Sequence, residues 1–284
     1  MFKTYYSLTK PGIIYGNVLT AAAGFLLAAK GHVDLWLLVA TLIGTSLVIA
    51  TACVSNNYID RGIDKKMART KKRALVQGTV PAHSAIMFAA LLGVVGFLVL
   101  ILFTNMLVVG VGLVAFIDYV VLYGIAKRRS VHGTIVGSIS GAAPVVAGYV
   151  AVTNRLDLGA LIVFLILVLW QMPHFYAIAL YRLKDYAAAG IPVLPREKGS
   201  KVTKLEILLY IAAFTVACAL LTVFGYAGWT YLAVVIALGL LWLWLGLQGF
   251  KTTSNEQWAR KVFLFSLIVI LLLSLMLAVG PLLP

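Results

Sequence analysis

Five stretches of this chain, residues 11–29, 35–59, 130–154, 158–181 and 262–284, contain no Asp, Glu, Lys or Arg, and each is long enough for one membrane-crossing helix. A transmembrane helix needs roughly 20 predominantly apolar residues. Two longer stretches supply two helices apiece. The first runs from Ala74 to Ala126 with Asp118 as its only charge and a polar turn at Thr104-Asn105; the second runs from Ile207 to Phe250 and breaks at Gly225-Tyr226-Ala227-Gly228. The sum is nine spans. A chain of 284 residues that is 62% hydrophobic and 11% charged carries more apolar surface than one water-soluble domain of that size buries. The expected fold is therefore an all-α integral membrane protein read as one polytopic domain, 1–284, with the bilayer as partner.

Cations set the expected orientation, because loops that stay in the cytoplasm keep Lys and Arg. Before the first span lie Lys3 and Lys10, and the segments after the second, fourth, sixth and eighth spans hold most of the others. Together these places account for 21 of the 23 Lys and Arg, and only Lys30 and Arg155 fall on the other side. The N-terminus is expected in the cytoplasm and the C-terminus outside. The net charge of +14 is then a topology signal with some attraction to anionic headgroups, and no nucleic-acid partner is expected. Gly24-Phe25-Leu26-Leu27 continues the first span without a small-residue cleavage site, so that span is expected to be retained. Cys53 and Cys218 show no disulfide or zinc spacing and read as packing residues.

Nine carboxylates are few enough that their positions carry information, since a membrane protein keeps charge near its core only for a reason. Asn56, Asp60 and Asp64 stand four residues apart each time, on one helical face with about 6 Å of rise between neighbours. Oxygens so spaced suit Mg²⁺, which takes one or two carboxylates and shares its other positions with water and phosphate. The following run from Lys65 to Arg73 supplies cations for a diphosphate. The competing reading is a solvated juxtamembrane basic loop with two exposed acids.

A second polar cluster, Trp170-Gln171-Met172-Pro173-His174-Phe175-Tyr176, interrupts the sixth span. A proline kink with an interfacial aromatic belt explains most of it, whereas His174 offers an iron ligand, a proton shuttle or a hydrogen-bond donor. Tyr119 and Tyr123 share a face near Lys127-Arg128; such rings either anchor a helix at the interface or stabilise a nearby carbocation. Asp118, nine residues before Lys127 and so about 13 Å up that helix from it, is expected to be neutral and protein-facing, with no catalytic assignment.

The Asn56-x-x-x-Asp60-x-x-x-Asp64 pattern, followed by Met67, Arg69-Thr70 and Arg73, resembles the first aspartate-rich motif of the UbiA-type intramembrane prenyltransferases. The Trp170–Phe175 run, Asp185-Tyr186 through Pro195, Trp258-Ala259-Arg260-Lys261, and Thr9-Lys10-Pro11-Gly12-Ile13 with Asn17 are similar to the branch whose acceptor is heme. The similarity spans nearly the whole chain. It implies nine helices around a central cavity, a farnesyl diphosphate donor, heme B as acceptor and Mg²⁺ as cofactor. It also implies a bacterial inner membrane location and delivery of product to heme-handling or terminal oxidase proteins. By the same resemblance Asn56, Asp60 and Asp64 would hold the metal, and Arg69, Arg73, Lys127, Arg128 and Asp185 would contact diphosphate. Asp60, Asp64, His174, Tyr119 and Tyr123 would serve catalysis, and His174, Trp170 and Gln171 would bind heme. Relatives with aromatic acceptors usually carry a second aspartate-rich motif at the end of the sixth helix. His174 and Asp185 stand there instead, which fits a heme acceptor and leaves the number of Mg²⁺ ions open. The rival readings are a prenyltransferase for an aromatic quinone precursor and, from another class, a polytopic transporter, although no pair of related halves is visible.

Overall fold

A computed structural model of the chain describes residues 2–284 and is helical throughout, with no strand among the described residues. Nine helices in the described residues are long and apolar enough to cross a bilayer. They are α1 (Pro11–Ala29), α2 (Leu35–Asp64), α3 (Ala82–Phe103), α4 (Met106–Arg129), α5 (Gly133–Thr153), α6 (Leu158–Tyr181), α7 (Gly199–Val223), α8 (Trp229–Phe250) and α9 (Asn255–Leu282). Helices are the natural solution because hydrocarbon offers no partner for a free backbone N–H or C=O.

Short connections make consecutive helices antiparallel, and polar side chains cap several of them. Asp34 accepts from Leu37 N, Asn105 from Leu107 N and Val108 N, Asp157 from Ala160 N and Ser254 from Gln257 N. Each cap satisfies an amide that the first helical turn leaves open. The Thr104-Asn105 and Gly225–Gly228 breaks fall where the sequence puts them. Several helix limits differ. α2 runs on to Asp64, α7 starts at Gly199 and α9 at Asn255, because a helix continues past the apolar layer wherever long charged side chains reach water. Residues 74–77 form a separate turn ended by Gly78 at φ 70°, so α3 begins only after Pro81.

α5 and α6 are the most enclosed spans; α5 packs on α1, α4 and α6, and α6 also packs on α7 and α9. Contact between α9 and α1 brings the last span back to the first. Leu98, Ile101 and Leu102 of α3, Val114 of α4, and Leu271 and Leu275 of α9 are exposed, as side chains facing lipid tails must be. At the end where α1 begins and α2 terminates, Leu8, Val54, Leu75, Val80, Ala85 and Ala89 form a second small core. That core pins the N-terminal helix, Phe2–Leu8, and the 65–81 connection against the base of α2, as does the bond from Asn57 Nδ2 to Leu8 O at 2.8 Å.

α1 and α5 approach backbone to backbone: a Cβ on Gly148 would overlap the Ala21 carbonyl, and one on Gly24 the Val145 carbonyl. Small residues permit such contact where lipid supplies no hydrophobic drive between helices. Gly148→Leu is expected to cost about 1–3 kcal/mol by overpacking and to lower the detergent melting temperature by several degrees. Gly16→Ala, where a Cβ meets open space, is expected to melt with the parent; equal melting of both variants would contradict the close packing.

Candidate functional site

Asn56, Asp60 and Asp64 occupy successive turns at the end of α2, and all three are buried. An ionised carboxylate removed from water is tolerated only when paired. Asp60 is gripped from both sides by the end of α4: Lys127 Nζ donates to Oδ2, and Arg128 donates to Oδ1 at 2.9 Å and to Ile59 O at 3.1 Å. Asp64 is held by Arg73 at 2.5 Å, while Thr70 Oγ1 donates to the Asp64 backbone carbonyl at 3.0 Å. The basic segment thus folds back over its own aspartate. The acids are therefore not exposed, although Lys65, Lys66, Arg69, Lys71 and Lys72 of the loop are.

The phase of α4 depends on one irregular turn. Residues Asp118–Leu122 form a π-helical turn, in which Tyr123 N–H donates to the Asp118 carbonyl. Asp118 is buried, as expected, and its Oδ2 accepts from Ser140 N on α5 at 3.1 Å. Tyr119 within this turn and Tyr123 just after it stack with centroids 5.6 Å apart at 28°, and Lys127 Nζ sits 5.0 Å from the Tyr123 centroid. Tyr119 lies within electrostatic reach of Asp60 and Arg73, and Tyr123 of Asp60, Arg69 and Tyr186. The tyrosine pair therefore faces the acid cluster.

Lys10 completes the cluster; in the sequence it stands as a topology cation and as a member of the Thr9-Lys10-Pro11-Gly12-Ile13 motif, with no partner among the acids indicated. Its backbone is left-handed (φ 54°) just before Pro11, which swings the side chain back so that Nζ donates to Asn56 Oδ1 at 3.3 Å. Burial lowers its ammonium to about 8; Arg73 and Lys127 add to the fall, while Cys53 and Asp60 resist it. Four cations, Lys10, Arg73, Lys127 and Arg128, thus surround two carboxylates. The excess positive charge suits a polyanion.

Arg69 and Asp185 sit at the rim. Arg69 is exposed, and Asp185 forms no ion pair among the described residues. Between them stands Tyr186, whose phenol is pushed up by burial, with Arg69 pulling the other way. The α6 residues point elsewhere. Gln171 turns to α5, donating to Ser138 O and to Leu167 O at 3.0 Å each, so its amide is spent on backbone. Trp170 and His174 face α9: Trp170 Nε1 donates to Ser266 O at 3.0 Å, and His174 Nδ1 lies 2.7 Å from Ser266 Oγ. Ser266 gave no signal in the sequence, because a lone serine in a transmembrane helix ordinarily bonds only to its own backbone.

An Mg²⁺ ion fits the donor set. No group of three or more His, Cys, Asp or Glu side chains is placed to cage a metal among the described residues. The available oxygens are the two carboxylates and one amide, the partial shell that Mg²⁺ completes with water and phosphate. Asn56 Nδ2 is buried without a hydrogen-bond partner; as a donor it cannot hold the metal, but it is placed to donate to an anionic oxygen brought in beside it.

Residues 17–268 match the UbiA prenyltransferase family. The chain belongs to that family. Similar relatives include the protoheme IX farnesyltransferase of Klebsiella pneumoniae, 52% identical over 285 residues and covering 100% of this chain and 97% of the relative. The protoheme IX farnesyltransferase of Yersinia pseudotuberculosis is 52% identical over 280 residues, 98% of this chain and 95% of the relative. Among solved structures the UbiA fold recurs in a digeranylgeranylglyceryl phosphate synthase, with a TM-score of 0.80, 20% identity and coverage of 99% and 98%. It recurs also in a UbiA homolog from Archaeoglobus fulgidus bound to GPP and Mg²⁺, with a TM-score of 0.74, 15% identity and coverage of 97% and 99%. This UbiA-family chain is thus a multi-pass membrane prenyltransferase by descent, with its acids and cations gathered at one end of the bundle.

Because Lys10 is charged below about 8, its cation disappears as pH rises through that value. Binding of inorganic diphosphate with Mg²⁺, measured calorimetrically, is expected to weaken roughly tenfold between pH 7 and 9, the worth of one charge-assisted hydrogen bond. In Lys10→Arg the fall should vanish; a parent profile flat across that range would remove Lys10 from the site.

Proposed function

We propose that this chain transfers the farnesyl group of farnesyl diphosphate to a vinyl group of heme B, with addition of water, giving heme O and diphosphate. The observation that carries the chemistry is the buried pair Asp60 and Asp64 with its surplus of cations. The acceptor rests on full-length relatives, 52% identical, named protoheme IX farnesyltransferase.

In the resting site each carboxylate is neutralised by the cations that would contact the ligand. Donor binding is an exchange. Asn56, Asp60 and Asp64 would hold Mg²⁺, while Lys127, Arg128, Arg73 and Lys10 turn to phosphate oxygens, with Arg69 and Asp185 at the rim. The metal supplies charge neutralisation to the leaving group. As the C1–O bond of the donor breaks, its electron pair stays on diphosphate, where the guanidinium and ammonium groups meet the growing charge. The farnesyl carbon becomes allylic and positive, and the stacked faces of Tyr119 and Tyr123 are suited to it. The vinyl terminus of heme forms the new C–C bond, water adds to the adjoining carbon, and that water releases one proton. Trp170 and His174 belong to the acceptor side. Gln171 would act by holding α5 and α6 together rather than by touching heme.

The whole of 1–284 would act as one domain in a bacterial inner membrane. The site would face the cytoplasm, since the cation-bearing connections share its end of the bundle. The C-terminus would lie outside, and the product would pass to heme-handling or terminal oxidase proteins.

Purified protein given heme B, farnesyl diphosphate and Mg²⁺ is expected to form hydroxyethylfarnesyl heme by mass spectrometry, and chelation of Mg²⁺ to stop it. Asp60→Ala and Asp64→Ala should each lose at least about a hundredfold in turnover, on the scale of removing one key electrostatic group, and still insert. A preparation that instead prenylated a hydroxybenzoate would keep the metal site and change the acceptor. One inactive on both would sink the proposal.

A further inference from the structure

We infer that Ser266 is a positioning residue that locks His174 as its Nδ1–H tautomer, so that Nε2 presents a lone pair to the iron of the heme acceptor. The inference rests on the heme reading above and settles which of three roles His174 plays.

The protons can be placed by counting. Ser266 Oγ lies 2.5 Å from the Phe263 carbonyl oxygen, a separation that two oxygens tolerate only with a proton between them, and the carbonyl has none to give. The hydroxyl proton therefore goes to Phe263. His174 Nδ1, 2.7 Å from the same Oγ, then meets a lone pair and must itself carry hydrogen. A neutral imidazole protonated at Nδ1 is unprotonated at Nε2, the form in which histidine binds a transition metal. Metal-binding histidines ordinarily donate their other ring nitrogen to such an oxygen, which fixes both tautomer and ring angle.

The ring is also fixed in orientation. Trp170 stacks on it at 4.8 Å and 27°, Phe175 meets it edge-on at 5.0 Å, and Phe263 covers it at 5.1 Å. The Trp170 indole is itself tied to the Ser266 carbonyl, so one residue of α9 holds both aromatic partners of the pair. His174 is 8% exposed, and Nε2 has no hydrogen-bond partner among the described residues. Among the described residues no acid, lysine or second histidine bonds to the ring, and its one hydrogen-bond partner, the Ser266 hydroxyl, has its own proton committed to the Phe263 carbonyl. A buried imidazole with one nitrogen spent and the other bearing a free lone pair is built as a Lewis base.

Heme B is titrated into the full-length parent, His174→Ala, Ser266→Ala and Ser266→Thr without prenyl donor, read by Soret absorption and by electron paramagnetic resonance of the ferric state. The parent should show histidine ligation, His174→Ala should lose it, and added imidazole should restore it there. Ser266→Ala should bind heme about tenfold more weakly with a mixed ligand signal, the usual lower cost of losing such a support, and Ser266→Thr should behave as the parent. Unchanged binding of inorganic diphosphate certifies that each variant is folded. A parental spectrum in His174→Ala, or equal affinity and spectrum in Ser266→Ala and Ser266→Thr, overturns the inference. A parent that ligates heme through histidine yet makes no farnesylated product would instead refute the proposed reaction and leave this inference standing.

Discussion

The structure turns on the pairing of Asp60 with Lys127 and Arg128. Removing a carboxylate from water costs several kcal/mol, of order 20 in the idealised limit, and only close, well-directed cations return it. The two helices carrying these groups, α2 and α4, must therefore end at the same depth and facing one another. The π-helical turn at Asp118–Leu122 follows from this demand, since an extra residue in the turn rotates everything beyond it. Asp118, bonded to Ser140 N on α5, braces the turn at its origin. The tyrosine stack and the cation end of α4 are placed by the same local irregularity.

The arrangement also explains how two carboxylates are tolerated inside a bundle. Arg73, Lys127 and Arg128 neutralise the carboxylates, and in the proposed reaction they would exchange them for phosphate oxygens. Lys10 is held more loosely, at 3.3 Å from an amide oxygen, and burial lowers its ammonium to about 8. Burial of both carboxylates strengthens each of these interactions.

Away from the acids, side chains tie helices together through backbone carbonyls. Lys204 of α7 donates to Gly249 O at 2.6 Å and lies 5.6 Å from the Trp258 ring, while Trp258 Nε1 donates to Leu245 O at 2.9 Å. This clasp joins α7, α8 and α9. It accounts for the tryptophan of the Trp258-Ala259-Arg260-Lys261 motif by packing alone. Gln171 does the same between α5 and α6. The seam between α6 and α9 differs, because there a ring nitrogen is left without a partner.

The sequence by itself determined the class of the molecule: nine spans, their approximate limits, and the four-residue spacing that puts Asn56, Asp60 and Asp64 on one face. Hydropathy and helical period act within a single segment, so they are legible without knowing what packs against what. The partners of the acids were not legible. Lys127 and Arg128 meet Asp60 across nearly 70 residues of chain, and Lys10 reaches Asn56 across 46. The π turn has no local signature, since a buried aspartate in a span suggests strain but not which helix will satisfy it. Ser266 looked like any serine of a transmembrane helix until α9 was laid against α6 and the hydroxyl fell opposite His174 Nδ1. Only the tertiary structure decided these contacts, because an ion pair or a tautomer is a property of two groups in space. One sequence states the groups, and packing chooses the pairs.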